Sequence, residues 1–207
     1  MCIRDRNAVL GLCILTAFWD LYYVTLLTVT KDGWRVVGGM ISEADYLDAP
    51  HVSYPAPDHR GLSWMNGHLP QGSKIMMVGD SRTFYTRLPV VPSSVYDNQP
   101  LVEAARNASN GAGMAAAFRA QGVTHLFVNL AESVRTESYG IYPWDQRSWA
   151  TLDDFWANDV RLVWASALGG SAGPYALLIY EIRLEGVPPG PDWPAPPNPF
   201  VRWKPKS

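Results

Sequence analysis

KIMMVGDSR, residues 74–82, and GVTHLFVN, residues 122–129, decide how this chain folds. Each holds a short apolar run, 75–79 and 125–129, and each is led in by a turn residue, Gln71-Gly72 for the first and Gly122 for the second. Runs this short, without alternation and ending at polar residues, suit strands buried on both faces. Between them the pattern predicts helices at 101–106, with Pro100 at the start, and at 112–121, stopped by Gly122. Strand, helix and strand in that order predict a βαβ crossover, so the two strands should run parallel. Short apolar runs at Val90-Val91 and around Val95-Tyr96 are expected to add an edge strand.

Upstream, residues 42–47 (SEADYL) read as a short helix with Ser42 as N-cap and acids in its first turn. A loop with Pro50, Pro55 and Pro57 follows, then a helix at 60–68 that stops before Pro70. Downstream, Thr151-x-x-Asp154 resembles a capping box, and Leu152, Phe155 and Trp156 share one helical face. The paired acids Asp153-Asp154 then fall in a first turn, where they favour the helix dipole without any catalytic role. Two last strands, 160–167 and 175–182, flank the glycine-rich loop 169–174 and should pair antiparallel. That loop lacks the Lys-Ser/Thr ending of a phosphate loop, so it reads as a hairpin connection. From 186 to 207 eight of 22 residues are proline, which predicts an extended, poorly ordered tail; Trp193, Phe200 and Trp203 are the groups able to pin it to the domain or to a membrane surface. The expected architecture is α/β: a small mostly parallel sheet with flanking helices and a C-terminal antiparallel hairpin, preceded by one transmembrane helix.

From Ala8 to Val29 the only charged residue is Asp20. Twenty-two residues at the helical rise extend about 33 Å, enough for a hydrocarbon core of about 30 Å. A cleaved signal peptide has a shorter apolar region and a small-x-small site after it, and no such site follows here. A buried helix of a soluble protein is the other alternative. Asp20 at mid-span is costly against lipid; it suits a bundle whose other helices cover it, or a lone anchor that tolerates a snorkelling carboxylate. The leader MCIRDR abuts the span and resembles a spurious translated leader, so residues 1–6 are set aside and orientation is not readable from Arg4 and Arg6. The expected organisation is leader 1–6, transmembrane helix 7–30, helical connector 31–73, α/β domain 74–185 and proline-rich tail 186–207.

The net charge of −2, with no basic run, gives no sign of a nucleic-acid partner. Cys2 and Cys13 lie at or inside the span, so the domain has neither a disulfide nor cysteine-ligated zinc, and no His/Asp/Glu cluster has metal-ligand spacing. No cofactor is indicated. One motif looks like chemistry. Gly79-Asp80-Ser81 follows a strand directly, where the SGNH (GDSL) esterases place their nucleophilic serine. Acyl transfer by serine needs a base and an orienting carboxylate. Of His51, His59, His68 and His125 only the last lies downstream, inside a strand and without the Asp-x-x-His spacing of that family. The plainer reading is a strand-to-loop corner in which Asp80 caps backbone groups and Arg82 pairs with a carboxylate. A third reading remains open. Ligands of open α/β sheets collect at the carboxyl ends of parallel strands. Asp80, Ser81, Arg82 and Tyr85 follow one such end, and Asn129, Glu132 and Arg135 the other. If the strands are neighbours, these groups converge on a polar rim whose two arginines suit a phosphate or carboxylate.

The whole order is a hydrophobic span, Tyr46-Leu47, Trp64-Met65-Asn66 leading into Leu69-Pro70, KIMMVGDSR at 74–82 and GVTHLFVN at 122–129. Over about residues 8–183 it resembles the extracytoplasmic C-terminal domain of bacterial multi-spanning glycosyltransferases, relatives of the dolichyl-phosphate-mannose protein mannosyltransferases and aminoarabinose transferases. The resemblance implies a polyprenyl-phosphate sugar donor, a bacterial inner-membrane location with the domain extracytoplasmic, and partners in the bilayer and the parent protein's other helices. The catalytic carboxylate of such enzymes lies in an early loop between the first transmembrane helices, so no catalytic residue is carried over. An accessory domain that shapes acceptor access, inactive alone, is what the resemblance implies. A membrane-anchored ligand-binding or scaffolding domain is the alternative.

Overall fold

The computed structural model describes residues 3–52, 54–166, 177–183 and 198–206, with the side chains of residues 3–5 left out. The chain divides into two compact units, Met1–Pro55 and Ala56–Ser207. The connector expected over 31–73 is therefore shared between them.

The first unit is dominated by α1 (Ile3–Lys31). Over Arg6–Lys31 its mean hydropathy reaches 1.7 and none of the apolar window is buried. The hydroxyls of Thr16, Thr25, Thr28 and Thr30 donate back to carbonyls of the preceding turn, at 2.7–3.0 Å. Those bonds satisfy the four threonine hydroxyls within the helix itself. Asp32, at φ +58°, ends the helix and pairs with Arg35 of α2 (Trp34–Val37). Ser42 caps α3 (Glu43–Asp48) through its oxygen, which accepts from Asp45 N at 3.0 Å.

The second unit is a five-stranded sheet in the order β2-β1-β3-β5-β4, formed by β1 (Ile75–Val78), β2 (Val90–Val91), β3 (His125–Asn129), β4 (Val160–Ser166) and β5 (Leu177–Ile182). β1 pairs parallel with β2 and β3, so the expected crossover and edge strand are present. β5 pairs antiparallel with both β3 and β4. The sheet is thus mixed, not mostly parallel. The physical reason is burial: β5 is apolar on both faces and fills an interior position, while half-exposed β4 takes the edge. The glycine-rich loop 169–174, Trp193 and most of the proline-rich tail lie outside the described residues. The run around Val95-Tyr96 forms no strand.

Helices cover both faces. α4 (His59–His68) packs Leu62 and Met65 with Phe127, Leu177 and Ile179 on one side. On the other, α5 (Pro100–Asn107), α6 (Gly111–Ala120) and α8 (Gln146–Asn158) enclose the larger core, with Phe118, Phe155 and Trp156 against Leu126, Val128 and Tyr180. α8 begins earlier than the Thr151 signal suggested. Asp145 caps it, and the reciprocal bond comes from Ser148. Thr151, Asp153 and Asp154 are therefore mid-helix, not first-turn, residues. Asp154 instead accepts the Gly111 backbone N–H at 2.7 Å and so caps its neighbour α6. Gly111 approaches α8 so closely that a Cβ there would fall 2.4 Å from Phe155 N. Phe200 is wholly buried against Tyr142 and Trp156, so this part of the tail belongs to the core.

Candidate functional site

Parallel registration of β1 and β3, from Ile75 beside His125 to Val78 beside Val128, delivers both chain exits to one edge of the sheet. Gly79 leaves β1 at φ +79°, and a Cβ there would fall 2.0 Å from Ser133 Oγ and 2.9 Å from Asn129 O. Glycine alone allows both the left-handed turn and this approach to α7 (Leu130–Arg135). Asn129 ends β3 and caps α7, its Oδ1 accepting from Glu132 N at 3.0 Å. Ser133 donates to Asn129 O and shares a hydrogen bond with the buried Tyr142 hydroxyl, each at 2.8 Å.

Past the turn, Asp80 is buried at 3% exposure and is the hub of a polar knot. Its Oδ1 accepts from Arg82 Nε at 2.8 Å and from Arg82 N at 3.0 Å. Its Oδ2 accepts from Arg82 Nη2 at 2.5 Å and from Asn129 Nδ2 at 2.8 Å. Arg82 Nη2 also donates to Ala56 O at 2.6 Å, and Arg82 Nε lies 3.8 Å from Asp58 Oδ2. Burial works against the charge on Arg82, but its bonds to Asp80 outweigh that effect and raise its pKa. Asp58 is pushed up to about 7, first by burial and then by the Asp80 carboxylate, against the pull of Arg82. One guanidinium serves two buried acids. Asp80 takes the bidentate contact, and Asp58 keeps its proton toward neutral pH.

The sequence-derived rim residues separate into three groups. Asp80, Arg82 and Asn129 form the knot. Ser81, Glu132 and Arg135 join Gly79 and Asp80 around a pocket of about 150 Å³. There Arg135 grips Glu132 through Nε at 2.7 Å and Nη2 at 2.5 Å. Tyr85 lies apart, its ring edge-on to His59 with centroids 5.2 Å apart and its carbonyl accepting from Asn66. Both arginines are thus engaged with carboxylates. The corner reading of Asp80 and Arg82 describes the geometry; a ready anion clamp does not.

Ser81 is exposed, and among the described residues no histidine hydrogen-bonds it. His125 opens β3 at the end opposite the Asp80 corner, where Thr124 Oγ1 meets its Nδ1 at 2.8 Å. Four residues of strand place it about 13 Å from the carboxyl end, beyond the reach of a general base. Burial lowers the pKa of His125, as expected of a near-core histidine. Among the described residues, no group of three or more His, Cys, Asp or Glu side chains is placed to hold a metal ion.

Sequence reasoning missed Asp58, Ser133 and Tyr142. Asp58 occupies the N-cap position of α4 without a side-chain cap bond. A capping residue next to Pro57 and facing an arginine two dozen residues later offers little signal by itself. Set against protein-family models, curated proteins and solved structures, the chain finds no match.

Proposed function

We propose that this chain is the extracytoplasmic accessory domain of a bacterial membrane glycosyltransferase that uses a polyprenyl-phosphate sugar, together with the membrane helix that precedes it. The observation that carries the reading is α1, 26 residues of span with mean hydropathy 1.7 and none of its apolar window buried. So large an apolar surface is stable against lipid or other helices. Asp20 favours neighbouring helices, because a lone carboxylate at mid-span costs about 2.5–3.5 kcal/mol against lipid. The corner at 79–82 supports an accessory role, since Asp80 and Arg82 pair with each other and no histidine among the described residues hydrogen-bonds Ser81. Acceptor and lipid-linked donor meet at the membrane surface, beside a domain tethered in this way. The pocket beside Ser81 favours a second reading, an anchored ligand-binding domain.

The test is the coding sequence upstream of codon 1 in the source genome. Eight or more in-frame hydrophobic spans, with an acidic residue in the first large loop, are the expected result. A stop codon directly before residue 1, preceded by no spans, overturns the enzyme reading and leaves the anchored binding domain.

A further inference from the structure

The first unit turns its chain back onto the end of α1. Asp32 stops the helix at φ +58°, and the Tyr46 hydroxyl of α3 donates to Lys31 O at 2.7 Å. That bond occupies one of the carbonyls that a helix C-terminus leaves open. Residues 32–45 therefore form a loop closed on the last turn of α1. α2 fills its first half, and Gly39 at φ +67° reverses the chain, with Met40 N donating to Arg35 O at 2.8 Å. Glycine suits such a left-handed turn after a helix.

The two halves of the loop differ in chemistry. Residues 34–41 (WRVVGGMI) hold one charge, Arg35, which Asp32 neutralises at 2.8 Å. Residues 42–48 (SEADYLD) hold three acids. The apolar half is left outside the fold: Val37 is 92% exposed, Met40 63% and Trp34 43%. Trp34 and Val37 stand three apart on α2 and share a helical face. The turn brings Met40 alongside, its Cε 3.8 Å from where a Cβ on Gly38 would stand. A medium for these side chains lies one loop closure away, because α1 is long and apolar enough to cross a membrane. A loop whose two ends meet at the end of a span stays within reach of the headgroups.

We propose that residues 34–41 are an interfacial foot, with Trp34, Val37 and Met40 set into the boundary between lipid headgroups and acyl chains at the end of α1. The proposal rests on the reading of α1 as a membrane span. Trp34 supplies the amphipathic ring that suits headgroup level, while Val37 and Met40 reach the acyl side. The Arg35–Asp32 pair enters without net charge, and the three acids of 42–48 oppose anionic headgroups. The contact is therefore apolar, and a zwitterionic bilayer suffices for it. Such a foot fixes the depth at which α1 sits, as interfacial anchors do.

The test is power-saturation EPR on the full chain, one copy per phosphatidylcholine nanodisc. Single nitroxides are attached at Val37→Cys, Met40→Cys or, within the span, Val24→Cys, each in a Cys2→Ser/Cys13→Ser background. All three positions are exposed, so the fold accepts the label, checked by an unchanged circular dichroism spectrum. Labels at 37 and 40 should lie about 5–10 Å into the headgroup and acyl boundary, more open to oxygen than to a water-soluble nickel reagent. They should stay there at high salt, since the contact is apolar, and the label at 24 should lie deeper. A deep label at 24 with labels at 37 and 40 open to the nickel reagent overturns the foot and leaves the span standing. A label at 24 that is itself open to the nickel reagent overturns the span and the foot together. Labels at 37 and 40 closed to both reagents mark a protein contact and overturn the choice of lipid, and release of those labels at high salt overturns the apolar contact.

Discussion

Gly79 decides the geometry of the 79–82 corner, because its backbone is left-handed and its Cα faces Ser133 and Tyr142 directly. Gly79→Ala should lower stability by at least about 2 kcal/mol, combining the left-handed cost with a clash against α7. Urea unfolding followed by tryptophan fluorescence measures it. In the same assay Arg82→Ala should cost about 3 kcal/mol, since it strips the buried Asp80 of its cation. Ser81→Ala should stay within about 0.5 kcal/mol, as an exposed serine with no hydrogen-bond partner among the described residues. A large Ser81 effect would contradict the structural reading of the corner. Asp58 adds a pH dependence of definite sign. With its pKa raised from 3.8 to about 7, the folded state holds a proton that the unfolded state has lost. Its contribution is therefore complete below the unfolded value, falls as pH rises from about 4 to about 7, and is gone above. Stability of the wild-type domain should decline across that window by up to a few kcal/mol, and Asp58→Asn should flatten the decline. An equal slope in the variant would assign the titration elsewhere.

At the scale of elements, β1 and β3 were legible because both are continuous apolar runs ended by polar residues, and a run of that kind has few other places to go. The start of α8 was not. Thr151-x-x-Asp154 and Asp145-x-x-Ser148 both carry capping residues, and the deciding fact is tertiary: Trp149, Leu152, Phe155 and Trp156 share the buried face, which needs the earlier start. The interior position of β5 was equally hidden, since the antiparallel hairpin is compatible with either strand beside β3. Asp145→Ala should cost about 1 kcal/mol through loss of the cap. Phe200→Ala should cost about 3–5 kcal/mol, because its ring fills the space among Tyr142, Trp144 and Trp156. Calorimetric melting of the two variants separates a pinned C-terminal segment from a loose tail: a Phe200→Ala effect below that of Asp145→Ala would contradict the pinned one. Proline content dominates the composition there, and composition hides a single aromatic anchor.

At the scale of the whole molecule, the sequence made an apolar span and an α/β domain legible, but not the knot around Asp80, whose members come from residues 56–58, 80–82 and 129. Such a site depends on which strands become neighbours, and periodicity does not encode that. What the two levels share is a domain whose polar groups hold its own corner together, and a helix long and apolar enough to cross a membrane. Under the proposed reading, sugar transfer is not an activity of residues 1–207 by themselves. The direct measurement is transfer of labelled sugar from a polyprenyl-phosphate donor, comparing membranes that hold the complete upstream reading frame with nanodiscs that hold residues 1–207 alone. The account predicts transfer by the former, undiminished by Ser81→Ala, and none by the latter; transfer or Ser81-dependent ester hydrolysis by residues 1–207 alone would contradict it.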